Sequence, residues 1–126
     1  MNRIRRKAQK AFKRCRPYAF ALHLRARENW PTEDLLGAFA IAAVNINKPH
    51  QIHRDRKDPK ESASVVAYSG RFEGGAVAFP TLMCLVRVVP GSLLLFRGRL
   101  LPHAALPWSG ERIATIYTSH ENSLKA

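Results

Sequence analysis

The sequence predicts a mainly β fold with N-terminal helices, of the sandwich or barrel kind that includes jelly rolls. Three observations point there. About eight short strand-like runs fall between Val44 and Thr118, separated by turn residues roughly every eight to twelve positions. Helical patterning is confined to the part before Val44. The chain has 126 residues, 46% of them apolar, which is one domain's worth of core with little to spare.

Residues 3–14 read as a basic helix with Ile4, Ala8, Ala11 and Phe12 on one side, ended or kinked by Pro17. Residues 18–27 continue with mixed apolar and basic character. Pro31-Thr32-Glu33-Asp34 is a helix start, because proline suits the first turn and acids favour the positive end. Leu35, Leu36, Phe39 and Ala40 carry that helix until it fades near Ala42–Ala43. Val44–Asn47 then alternates apolar and polar with the period of a strand. A charged surface loop spans 56–62, and Ser64–Tyr68 is a short β-branched strand. Ser69-Gly70 and Gly74-Gly75 punctuate the next stretch. Ala76–Phe79, Leu82–Val89, Ser92–Phe96, Leu100–Leu106 and Arg112–Thr118 are further strands, with a strong turn at Pro90-Gly91 and another at Pro107–Gly110.

The net charge is +12, and it is uneven: residues 1–27 hold ten Lys or Arg and no acid. The basicity therefore belongs to an N-terminal arm or helix, residues 1–30, and the domain proper is 31–126. Such an arm suits nucleic acid or another polyanion, while the plainer reading is a solvated basic helix. A mitochondrial presequence is a third reading, which the absence of serine weakens. Without a long apolar run, no membrane partner is expected. Cys15 and Cys84 form neither a zinc ribbon nor a disulfide framework. Cys84, in an apolar run, reads as a buried small hydrophobe. A reducing, intracellular compartment fits two unpaired thiols.

His53-Arg54-Asp55, His103 and Arg112 carry the chemistry. Positions i and i+2 of an extended segment point to one side, so His53 and Asp55 can face one ion. His103, from a different strand, can complete a two-histidine, one-carboxylate set with open positions, the arrangement of non-haem Fe(II) oxygenases. Arg112 lies one turn beyond, on the adjacent strand by this reading, and offers a fork for a carboxylate. A lone HxD or a lone histidine says little; the joint pattern is what argues for a metal. His23, His50 and His120 read as structural or exposed, with His50 close enough to touch substrate. Phe96 and Ile113 are expected to line apolar walls, and Trp30 or Trp108 could stack on a base.

HRD at 53–55, FEGGAVAFP at 72–80, PGSLLLF at 90–96, LLPH at 100–103 and GERIATIYTSH at 110–120 together resemble the Fe(II)/2-oxoglutarate-dependent dioxygenases. The resemblance covers about residues 44–120. It implies a double-stranded β-helix (jelly roll) in minimal form. It implies His53, Asp55 and His103 as catalytic iron ligands and Arg112 as the clamp for 2-oxoglutarate. It suggests Asn45, in preference to Asn47, as a polar contact to that co-substrate. The charges of Fe(II), Asp55, Arg112 and the dicarboxylate would then cancel, as a buried set requires. NINKPHQIHRDRKD with the downstream EGGAVAFP is most similar to the TET and J-binding-protein branch, including its fungal transposon-associated members. That branch oxidises the methyl group of thymine or 5-methylcytosine, so the implied partners are 2-oxoglutarate, O2 and DNA, and the implied location nuclear or cytoplasmic. Prolyl-hydroxylase-like members share the GG-x-x-x-FP segment, so a protein hydroxylase is the alternative enzyme. A truncated, non-catalytic jelly-roll binding module is the alternative from another class, and a zinc site of cupin type is open to the same ligands.

Overall fold

A computed structural model describes residues 2–27, 39 and 41–119. Two helices come first, α1 (Asn2–Cys15) and α2 (Pro17–Arg27). The break falls at Pro17, as expected of a residue that cannot continue a preceding helix. Seven strands come after them among the described residues: β1 (Ile41–Ile46), β2 (Ser64–Gly74), β3 (Val77–Phe79), β4 (Cys84–Val86), β5 (Leu93–Phe96), β6 (Ala104–Ala105) and β7 (Trp108–Thr118). They form two antiparallel sheets, one ordered β1-β7-β2-β5 and a smaller one ordered β4-β3-β6.

The larger sheet is buried on both faces, and the alternation along its strands sorts the core in two. Val65, Ala67, Tyr117, Leu93 and Leu95 face one way and pack with Ala8, Phe12, Ala19 and Phe39. Val66, Tyr68, Phe72 and Ala114 face the other way and pack with Val77 and Phe79 of the small sheet. Helices thus cover one side of the large sheet and strands the other. This explains why Ser64–Tyr68 reads as a continuous buried run rather than a half-buried one.

The basic segment is integral to this packing. Ala8 and Phe12 are fully buried, while Arg3, Arg6, Lys7, Lys10, Lys13 and Arg14 are exposed. Phe12 meets Phe39 at 5.1 Å, His23 at 5.0 Å and Phe20 at 5.9 Å between ring centroids. Phe12→Ala should cost about 3–5 kcal/mol, the usual range for emptying a buried aromatic site. Denaturant unfolding checks it; a loss below about 1 kcal/mol would mean that α1 is not part of the core.

Several boundaries differ from the sequence reading. Ala42 and Ala43 belong to β1, not to a fading helix. β2 runs straight through Ser69-Gly70. Gly70 has φ +98, and a Cβ there would overlap the Glu111 carbonyl on β7. That glycine serves close strand approach, not a turn. Gly110 does the same against Arg71, so Pro107–Gly110 is not a turn and β7 starts at Trp108. β6 and β7 consequently lie in different sheets. Leu82–Val89 is only partly strand: a 3-10 turn at Pro80–Leu82 and left-handed Met83 precede a three-residue β4. Cys84 is exposed, not buried. The turn at Pro90-Gly91 is present, with Gly91 at φ +90. The helix expected from Pro31 lies, except for Phe39, outside the described residues, as do Trp30 and His120. Among the described residues no helix is long and apolar enough to cross a membrane.

Candidate functional site

Among the described residues, a cavity opens between the inner face of the large sheet and the segment joining β1 to β2, and has a volume of about 520 Å³. Its floor is made of alternate residues from neighbouring strands: Val66 and Tyr68 from β2, and Arg112, Ala114 and Ile116 from β7. Phe96 lines it as expected. Ile113 does not, because one step along a strand reverses the side chain; Ala114 and Ile116 take that place.

His53, Asp55 and His103 meet at one edge of this cavity. His53 and His103 exchange backbone hydrogen bonds of 3.1 and 3.0 Å, which holds two chain segments side by side. Asp55 is fixed by its N–H donating to Gly98 O at 2.9 Å. The Asp55 carboxylate then lies 3.4 Å from His53 Nε2 and 3.5 Å from His103 Nε2. One donor atom from each residue falls within 4.8 Å of the other two, a spacing that could hold a metal ion.

The histidines are oriented in the same way. His53 Nδ1 is 2.8 Å from Gln51 O, and His103 Nδ1 is 2.7 Å from Leu101 O. A carbonyl only accepts, so both rings carry a proton on Nδ1 and direct Nε2, the nitrogen left for a metal, toward Asp55. A backbone carbonyl on the second ring nitrogen is the usual outer support of a ligating histidine. His103 is 7% exposed and packs edge-on against Phe96, with centroids 4.7 Å apart. Burial lowers its pKa below the ordinary 6.5, outweighing the pull of the Leu101 carbonyl and of Asp55. The ring is therefore neutral near pH 7, the form that binds metal.

Gly98 lies just beyond β5, opposite Asp55. A Cβ at this position would overlap the Asp55 carboxylate. Gly98→Ala should therefore displace that carboxylate and weaken metal binding about tenfold or more, the scale of an outer support. Equilibrium dialysis measures it; unchanged affinity would show that Asp55 is not needed where it stands.

Arg112 reaches the cavity from the centre of the large sheet rather than as the neighbour of β6. It is 4% exposed. Its guanidinium lies 4.8 Å from the Tyr68 ring, 4.9 Å from Trp108 and 5.9 Å from Phe72. One N–H donates to Gly75 O at 3.4 Å, and Nε is buried without a partner. A Cβ on Gly75 would come within 2.9 Å of that Nε, so the glycine leaves room for it. No carboxylate among the described residues is within ion-pair distance. Burial lowers the Arg112 pKa, and burial raises that of Tyr68 to about 12 despite the neighbouring cation, so Tyr68 is a neutral phenol. The Arg112 backbone is held by Asn47, whose Oδ1 accepts from Arg112 N at 2.8 Å and whose N–H donates to Arg112 O at 2.9 Å.

Asn45 is half-buried on β1 and does not line the cavity; its amide nitrogen is 3.3 Å from Nε2 of His50, which does. Burial first, then His53, Arg112, Lys48 and His103, lower the His50 pKa. Asp58 escaped the sequence reading because it sits in a charged run. It is buried, accepts from Ser64 at 3.0 Å and Thr118 at 3.2 Å, and its carbonyl accepts from Arg99 at 2.7 Å. These bonds seat the 53–58 segment on the sheet. Arg54, Arg56 and Lys57 line the cavity on the same segment.

No protein-family model and no curated protein matches this chain. A solved structure does: NgTET1 in complex with 5mC DNA, at TM-score 0.70 and 26% identity, over 89% of this chain. The fold is TET-like. The chain spans 44% of the NgTET1 chain, less than half its length. With this likeness, the His-Asp-His group of the TET-like fold fits iron as its ion.

Proposed function

We propose that this chain is the jelly-roll core of an Fe(II)- and 2-oxoglutarate-dependent dioxygenase that hydroxylates the methyl group of a modified base in DNA. One observation carries the reading: three ligand atoms converge within 4.8 Å beside a buried arginine that lacks a carboxylate partner among the described residues. The donor set fits Fe(II), with open positions left after two histidines and one carboxylate. A buried guanidinium with no carboxylate beside it among the described residues fits a dicarboxylate. When bound, Fe(II) and 2-oxoglutarate would supply oxidative C–H hydroxylation with O2 as the oxidant, one oxygen atom entering the C–H bond and the other the succinate formed as 2-oxoglutarate loses CO2.

The chain's own residues bind, orient and exclude water. His53, Asp55 and His103 hold the ion, with both imidazoles fixed by backbone carbonyls. Arg112 holds the far carboxylate, its direction set by the Tyr68 and Trp108 rings. Phe96, Val66, Ala114 and Ile116 keep the walls apolar. The charge of Arg112 acts strongly there because little water screens it.

The substrate reading rests on NgTET1, whose structure holds 5mC DNA, and on Arg54, Arg56 and Lys57 at the cavity. A cavity of about 520 Å³ cannot admit a duplex, so the base would have to leave the stack. The three cations are placed to hold flanking phosphates. The basic face of α1, across the large sheet from the cavity, is less well placed for that task.

The test is turnover of Fe(II)-loaded protein with 2-oxoglutarate and 5-methylcytosine oligonucleotides, read by mass spectrometry. An added oxygen on the methylated base is expected, and none on the unmethylated control. Changing Arg54, Arg56 and Lys57 together to alanine should lower the slope of log affinity against log salt by about two to three. Oxidation of a prolyl peptide but of no oligonucleotide would instead establish the protein-hydroxylase alternative.

A further inference from the structure

The metal-ligating group and Arg112 leave one polar ring of the cavity without a task. His50 lines the cavity and is half-buried. Its position is fixed from two sides. The Ala105 N–H donates to His50 O at 3.3 Å, which ties it to β6 next to His103. Its ring centroid is 5.7 Å from that of His53.

The Asn45 contact decides how the ring is protonated. Asn45 Nδ2 stands 3.3 Å from His50 Nε2. An amide nitrogen donates and never accepts, so Nε2 must be the acceptor. A neutral imidazole that accepts on Nε2 carries its proton on Nδ1. That N–H has no partner among the described residues. The cavity therefore offers the His50 Nδ1–H together with the Arg112 guanidinium, whose Nε is buried without a partner. Two donors lining one cavity, one of them on a buried guanidinium, suit a ligand rich in acceptor oxygens.

We propose that His50, oriented by Asn45, is a positioning residue for the acidic co-substrate: its Nδ1–H donates to a carboxylate oxygen of the dicarboxylate held by Arg112. This role rests on the dioxygenase reading. It also gives Asn45 a different task from the one expected of it, acting on the co-substrate through His50 instead of touching it.

The experiment is an anaerobic calorimetric titration of Fe(II)-loaded protein with 2-oxoglutarate, for the native chain, His50→Ala and Asn45→Ala. Fe(II) affinity, measured first, should be unchanged in both variants, which also shows that they fold. The 2-oxoglutarate Kd should rise about tenfold in His50→Ala, the loss of one hydrogen bond to a charged group, and by a smaller factor in Asn45→Ala. In the native protein with 15N-labelled histidine, the His50 signals should report the Nδ1–H tautomer, and Nδ1 should shift when 2-oxoglutarate is added. An unchanged Kd in His50→Ala, or an Nδ1 signal indifferent to the ligand, overturns the role of His50 and leaves the enzyme reading standing. Native protein that binds Fe(II) but no 2-oxoglutarate overturns both.

Discussion

His103→Ala is expected to abolish tight binding of a divalent metal while the chain stays folded. The ring contributes one of three convergent donors, and its Nδ1 is already committed to Leu101 O. Removing only an outer support of a metal site costs about 10- to 100-fold in affinity, so losing a ligand should cost more than about 100-fold. Equilibrium dialysis against Fe(II) under argon, with circular dichroism as the check on folding, measures it. Metal retained at native affinity would show that the two remaining donors and another group form a different site. The pH dependence has a definite sign. Protons and metal compete for Nε2, so affinity falls on acidification. Because burial depresses the His103 pKa, its part of that loss belongs below pH 6.5. The apoprotein behaves in the same direction. The unfolded chain binds the His103 proton more readily than the native one, so stability is full above 6.5 and declines as pH falls toward the depressed native pKa.

Arg112→Met is expected to separate ligand binding from stability. With the dicarboxylate present, the substitution removes one partner of a buried charge pair, a loss of about 2–5 kcal/mol, or about 30-fold to several thousandfold in 2-oxoglutarate affinity. Without it, the guanidinium is a buried charge with no anion beside it among the described residues, surrounded by Tyr68, Trp108 and Phe72. Replacing an uncompensated buried charge by an apolar chain of similar length is often neutral or stabilising. The apoprotein Tm should therefore hold or rise. Metal affinity should not change, since Arg112 is no part of the ligand group. Scanning fluorimetry and calorimetry on the same samples provide the three readings. A fall in apoprotein Tm of several degrees would mean that the contacts of Arg112 with the rings outweigh its desolvation, and that its role is structural.

How much the sequence reveals depends on how local the determinant is. His53 and Asp55 are legible because two-residue spacing on an extended backbone fixes their common side without further information. The Pro17 break, β3 and the Pro90-Gly91 turn are legible for the same reason. His103 and Arg112 need a family resemblance to join them to the pair, since they stand about fifty or more residues away. The path to Arg112 is easily misread: Pro107–Gly110 looks like a hairpin turn, yet Gly110 serves the approach of β7 to β2. Gly98, Gly75, Tyr68 and Asp58 are invisible because their importance depends on which distant segment lies opposite. No periodicity announces that a missing Cβ makes room for an aspartate or an arginine. Cys84 shows the same limit from the other side, being apolar in its neighbours and still exposed on a three-residue strand.

The pairing of β1 with β7 joins Ile41 to Thr118, and the backbone exchange between His53 and His103 spans fifty residues. Contacts of such separation carry a large loop-closure cost and form late in folding. The ligand group thus cannot serve as an early nucleus, as it does in small zinc modules. It comes into being only when the segment that carries His53 and Asp55 has met the one that carries Gly98 and His103. Newly made chains must consequently find this topology unaided, and the metal rewards only those that have already done so.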